Sequence, residues 1–197
     1  MSLRIEQDRR LRRITLAAPE RRNVLDAELA ENLLREVAEA GDDPETGAIL
    51  VEADGQMFCC GIDPASPPPP ELFTIGPRSA KPIVVAVKGA AVSAGLAIIA
   101  NAHIAIAAQG STFGLVDIRE GRWSQPVVDA VASAVGRRRA LELALTGRIF
   151  STAEAAAWGL IHMVAPAFEL DDRATEVATA LANANAEAVR AALASRG

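Results

Sequence analysis

The chain has 197 residues, half of them hydrophobic and about a quarter charged, with a formal net charge of −5. That length suits one soluble domain with a sizeable core. The acidic balance argues against a general nucleic-acid surface, and the absence of tyrosine removes one acid–base side chain and leaves few stacking platforms.

The two cysteines, Cys59 and Cys60, are adjacent. They lack the separated pairs of a zinc site, and they make no disulfide framework, so no metal is expected. The first residues, MSLRIEQDRRLRRITL, contain no long apolar segment of the signal-peptide kind, so a reducing cytoplasm is the expected compartment. The most apolar region, Lys81 to Ala108, is broken by Lys88, Gly89, Ser93, Gly95, Asn101 and His103, which argues against a membrane span.

In chain order, residues 2–7 and 11–17 read as two short strands. A turn at Pro19–Asn23 leads to Asp26, which is suited to cap a helix from Ala27 to about Ala40. Leu29, Leu33, Leu34 and Val37 form the apolar stripe of that helix, and Gly41-Asp42-Asp43-Pro44 stops it. Residues 48–53 read as a strand. The run from Pro64 to Pro70 has five prolines and reads as a stiff extended loop, with a short helix or turn at 71–75. Residues 83–87 are a β-rich run bounded by Pro82 and Gly89. A small-residue segment, Gly89 to Gly95, then opens an apolar helix over about 94–100, with Ser93 placed as its N-cap. A strand follows at 104–107, and Gly110 to Gly114 reads as a turn. Helices are expected at 126–135 and 137–146. Ser151 and Glu154 form a capping box for a helix to Trp158. A last strand is expected at 160–165, then helices at 170–182 and 187–195. Strands alternate with helices, so the class is α/β, and no internal repeat is visible in the residues themselves.

Small residues at a helix start let a ligand approach the backbone, and the first N–H groups of a helix lack internal partners. The start of the helix after Ser93 is therefore suited to hold a developing oxyanion. The competing reading is a tightly packed strand–turn–helix without chemistry.

Several segments, taken in order, resemble the enoyl-CoA hydratase/isomerase (crotonase) family. Residues Pro19 to Leu25 look like its "RPxxRNAL" turn, Phe58 to Asp63 like "FCAGADL", and Lys81 to Gly89 like "KPVIAAVNG". Ser93-Ala94-Gly95-Leu96 lies where "GGGL" belongs, and Phe113-Gly114 begins the "FGQPE" segment. Residues 136–147 and 153–160 match "GRAKAMELLLTG" and the helix after it. The resemblance implies a spiral of ββα turns over residues 1–165, followed by a short helical segment at 166–197, assembled as a trimer or a dimer of trimers. It implies an acyl-CoA thioester as substrate, with coenzyme A as part of the substrate and no separate cofactor. By motif position the oxyanion donors are the backbone N–H groups of Ile62 and Ala94. Arg21, Arg22 and Cys60 are the candidate coenzyme A contacts.

The departures from the family matter as much. Ala97 stands where hydratases carry a glutamate. Asp117 stands at the other glutamate, shorter by roughly 1.5 Å. Arg122 to Pro126 replaces "PGAGGT", which adds bulk near the pocket. The segment between Asp63 and Lys81 is short, and the sequence stops at Gly197, roughly one helix early. An open site, or one closed by a neighbouring subunit, is the expectation. The implied chemistry is a one-carboxylate enolate reaction of isomerase or decarboxylase type, with Asp117 as the catalytic base. The alternative is a weak or inactive paralogue that binds acyl-CoA or serves as an assembly partner, with Asp117 merely paired with Arg119 or Arg122. Glu120 is a lesser candidate base, and His103 and His162 are expected to be structural or superficial.

Overall fold

The computed structural model describes residues 2–195. The described residues hold ten strands: β1 (Leu3–Asp8), β2 (Leu11–Leu16), β3 (Ala48–Ala53), β4 (Cys59–Cys60), β5 (Ile83–Val87), β6 (Ala90–Val92), β7 (Ile104–Ala108), β8 (Thr112–Gly114), β9 (Ile149–Ser151) and β10 (Met163–Ala165). The helices are α1 (Ala27–Asp42), α2 (Ile75–Arg78), α3 (Ala94–Asn101), α4 (Gln125–Val135), α5 (Arg137–Thr146), α6 (Thr152–Ala157), α7 (Leu170–Ala182) and α8 (Ala186–Ala194).

The strands form two sheets. The larger has the order β1-β2-β3-β5-β7-β10 and the smaller β4-β6-β8-β9. β3, β5 and β7 pair in parallel, and so do β4, β6 and β8. Each pass of the chain therefore adds one strand to each sheet, which is the ββα spiral. Ile49 pairs with Ile83 but Val84 with Ile104, so successive passes differ in length. That inequality hides the repeat in the sequence.

The large sheet is covered on both faces, and its central strands read as unbroken apolar runs for that reason. All five residues of β5 are buried. On one face α7 lays Ala174, Ala178 and Ala182 against Leu50, Val84 and Ile106. On the other face α1 presents Leu29, Leu33 and Val37 to the main core, which also holds α3 and the small sheet. Asp26 caps α1, its side chain accepting from Leu29 N–H at 2.8 Å. The capping box at Ser151 and Glu154 forms with both of its hydrogen bonds.

Some local expectations are corrected. α1 ends within the stretch Gly41 to Pro44, at Asp42 with Asp43 as its C-cap, two residues beyond Ala40. Thr112 to Gly114 is a strand, because Ala90 to Val92 beside it offers a free ladder edge. Ile149 to Ser151 adds an antiparallel strand to the same sheet. The last strand is confined to Met163–Ala165. Ser93 does not cap α3 with its side chain, since its backbone lies at φ 51°, ψ −116°, outside the usual cap geometry.

Candidate active site

The small sheet ends in two turns that sit side by side. Cys59 pairs with Ala91 and Cys60 with Val92. Gly61 and Ile62 follow the end of β4, and Ser93 and Ala94 follow the end of β6. A Cβ on Gly61 would stand 3.6 Å from the Ser93 Cβ, so the two turns are in contact there. Ala94 begins α3, and its N–H has no acceptor among the described residues, as expected for the first residue of a helix. The Ile62 N–H likewise has no acceptor among them.

Ile62 is held from behind. Leu25 N–H donates to the Gly61 carbonyl at 2.9 Å, and the Leu25 carbonyl accepts from Asp63 N–H at 2.8 Å. This one-residue bridge uses the polar groups on either side of Ile62 and leaves its own N–H facing away. Leu25 is in turn placed by Asn23, a buried residue at φ 51°. The Asn23 side chain donates to the carbonyls of Asp54 and Met57 and accepts from Ala18 N–H. The sequence reading passed over Asn23 as an ordinary turn residue. Its signal was available: asparagine tolerates the left-handed region that such a turn needs.

α3 approaches β4 closely enough that only glycine fits at Gly95. A Cβ there would lie 2.7 Å from the Cys59 carbonyl oxygen. At its other end, α3 is tied to the 70–78 segment by Asn101, whose side chain donates to Phe73 O and Ala97 O at 2.9 Å each. Ala97 is fully buried and brings no acid–base group.

On the far side of β6, β8 runs alongside, and Ser93 N–H donates to Gly114 O at 2.9 Å. The chain then passes through Leu115 and Val116 into a 3₁₀ turn, Asp117–Glu120. Asp117 thus lies three residues beyond the strand that runs next to the Ser93 turn. Its Oδ1 lies 3.8 Å from Arg122 Nη2, which also meets Glu120 Oε2 at 2.6 Å. Only about 10 Å³ of space remains among Leu115, Asp117, Arg122, Trp123 and Val127.

The structure brings Arg22 and Cys60 together, since Cys60 N–H donates to the Arg22 carbonyl at 3.1 Å. Burial raises the Cys60 thiol pKa, with the Arg22 charge pulling the other way. Cys59 is fully buried, and that burial pushes its thiol up to about 12, so it is not a thiolate at neutral pH. Arg21 turns to Asp26 at 2.7 Å. Burial acts to raise the Asp26 carboxyl, but the Leu29 N–H and the Arg21 guanidinium outweigh it and hold Asp26 below the usual carboxylate range. His103 Nδ1 accepts from Ile83 N–H, and His162 Nδ1 from Ala105 N–H, both at the large sheet. Among the described residues, no group of three or more His, Cys, Asp or Glu could hold a metal ion.

Volume does not mark this site. Cavities of about 490 and 520 Å³ lie against α1 and at the start of α5, and neither is lined by Ile62, Ser93 or Ala94. The site is marked instead by two N–H groups without an acceptor among the described residues.

A family model described as enoyl-CoA hydratase/isomerase matches residues 71–195, more than half of the chain. The chain belongs to the enoyl-CoA hydratase/isomerase family. Among curated relatives of this family, it is 30% identical to a probable enoyl-CoA hydratase of Mycobacterium tuberculosis, over 95% of this chain and 78% of that protein. It is 29% identical to a mevalonyl-coenzyme A hydratase of Aspergillus fumigatus, over 90% of this chain and 71% of that protein. Among solved structures, an enoyl-CoA hydratase from Mycobacterium smegmatis superposes with a TM-score of 0.88 at 30% identity, covering 99% of this chain and 87% of that one. The human enoyl coenzyme A hydratase domain-containing protein 3 shares the fold, with a TM-score of 0.91 at 24% identity. Among the described residues, no helix is long and apolar enough to cross a membrane.

Proposed function

We propose that this chain binds an acyl-CoA thioester and stabilises its enolate between the N–H groups of Ile62 and Ala94. The observation that supports this reading is the pair of N–H groups without an acceptor among the described residues, each two residues beyond the end of one of two paired strands. An enolate oxygen gains charge as the α-proton or a carboxyl group leaves, and fixed donors then stabilise it without reorganising. With Ala97 apolar and buried, the two-carboxylate route for adding water lacks one of its groups. The reading is therefore an isomerase- or decarboxylase-type reaction, with Asp117 as the group that takes and returns a proton.

Arg22 and Cys60 are the proposed coenzyme A contacts at the outer side of the Ile62 turn, with Arg21 nearby on its Asp26 anchor. A homotrimer or dimer of trimers is proposed by analogy with the family, to be checked by light scattering. The cytoplasm is proposed on the two unbridged cysteines.

The alternative, a weak paralogue that retains only acyl-CoA binding or an assembly role, draws on the tight space around Asp117 and its contact with Arg122. One experiment separates the two. Incubation with saturated and unsaturated acyl-CoA esters in D2O, read by mass spectrometry, reports deuterium at the α-carbon. Exchange that is lost in Asp117→Asn supports the enzyme. No exchange with any ester, alongside binding by calorimetry, supports the paralogue.

A further inference from the structure

Ser93 carries a hydroxyl for which the fold provides no partner. The residue is 2% exposed, and its Oγ makes no hydrogen bond to any described residue. Its backbone is held at φ 51°, ψ −116°, a region that side chains with a Cβ rarely adopt. Both features disfavour the empty protein, and a glycine would avoid both. The usual explanation for a serine before a helix does not apply. Leu96 N–H, one of the groups a capping hydroxyl would accept from, donates to the Ser93 carbonyl at 3.0 Å, and the Ser93 side chain makes no cap hydrogen bond, so the hydroxyl is spare.

The location gives the spare hydroxyl a use. Ser93 directly precedes Ala94, and its Cβ is 3.6 Å from where a Gly61 Cβ would stand, one residue before Ile62. The hydroxyl is thus lodged at the junction of the two turns that supply the oxyanion donors. A nucleophilic serine needs a base within reach, and both histidine Nδ1 atoms are engaged with backbone N–H groups of the large sheet. A hydroxyl without a base remains protonated and serves as a hydrogen-bond donor.

We infer that Ser93 Oγ–H is a third donor to the thioester oxygen, joining Ile62 N–H and Ala94 N–H as enolate charge develops. This rests on the enolate-holding function proposed above. Rotation about Cα–Cβ brings the hydroxyl to the oxygen, and its cost in the empty protein is recovered on the charged state. A donor engaged mainly at that stage raises turnover rather than substrate affinity.

The test compares the full-length protein with Ser93→Ala and Ser93→Gly, using acetyl-, butyryl- and crotonyl-CoA in D2O. Expected is a kcat for α-proton exchange lowered by about 10²- to 10³-fold, on the order seen for single oxyanion donors. KM should stay within about twofold, and both variants should melt at or above the wild-type temperature. Lower turnover with equal or higher stability is an outcome that a merely structural serine does not produce. Ser93→Gly suits the observed backbone and keeps the comparison open if the alanine variant folds poorly. Equal exchange in wild type and both variants overturns the Ser93 inference and leaves the enolate function standing. No exchange by the wild type with any ester overturns both. An acyl adduct on wild-type Ser93, seen by intact mass and absent from Ser93→Ala, overturns the donor role in favour of a nucleophile.

Discussion

The two sheets of this protein solve different problems with different residues. The central strands of the large sheet are five or six residues long, β-branched and aliphatic, and covered on both faces. The strands of the small sheet are two or three residues long, and two of its parallel strands lead directly into residues at positive φ, Gly61 and Ser93. One sheet supplies buried area and a fixed frame. The other supplies strand ends, where backbone N–H groups leave the ladder and become available to a ligand. Stability and chemistry are thereby separated along each pass of the spiral, and substitutions in the two sheets should differ in kind.

The sharpest break is expected at Asp117. Asp117→Asn preserves shape and removes the proton acceptor, so α-proton exchange should fall by about 10²- to 10⁴-fold. Its melting temperature should scarcely move, because the contact with Arg122 is long and partly exposed. The opposite pattern is expected at Leu50, fully buried in β3 against α7. Leu50→Ala should cost about 2–5 kcal/mol in a denaturant titration, while exchange per folded molecule stays near wild type.

Asn23 lies between these extremes and sharpens the comparison, because it is a structural residue serving the small sheet. Asn23→Ala leaves two part-buried carbonyls and one buried N–H without their partner. A loss of about 1–3 kcal/mol is expected, and exchange should fall as well, since the Leu25 bridge behind Ile62 loosens. A variant that loses stability but keeps full exchange would show that Ile62 is held by something other than this turn.

The smallest effect is expected in acid. Arg148, by its hydrogen bond, holds Glu142 below its ordinary value of 4.5, and the Ser151 N–H followed by Arg148 does the same for Glu154. Carboxyls with lowered folded values contribute stability that is present above pH 4.5 and lost as the pH falls through those values. Arg148→Gln should therefore lower the melting temperature slightly at neutral pH and leave it unchanged once both carboxyls are protonated, which flattens the acid side of the profile.

The same division explains what was legible in the sequence. Ala48 to Ala53 and Leu170 to Ala182 declare themselves through long apolar patterns, and the structure returns those very boundaries. Cys59-Cys60 and Thr112 to Gly114 are too short to show any periodicity. They are strands only because neighbours from other passes pair with them. Ile62 and Ala94 are singled out by motif resemblance alone, since neither carries a periodic or compositional signal of its own. Ser93 misled for a physical reason: serine before an apolar helix signals a cap, but the turn from β6 forces a backbone in which its side chain cannot cap. The pairing of Asp117 with Arg122 joins two ends of one short 3₁₀ turn, and only the folded turn distinguishes it from the competing pairing with Arg119.

The unequal passes of the spiral have an evolutionary consequence. Alignment of the small-sheet strands is set by their ladder pairs, not by the length of chain between them. The exposed part of the connector at Pro64 and Ala65 can therefore be rewritten or lengthened while the small-sheet register is kept, whereas Leu72 and Phe73 further along belong to the core they share with α3. Such a scaffold lets a lineage edit one exposed loop while the paired turns at Gly61 and Ser93 are inherited intact.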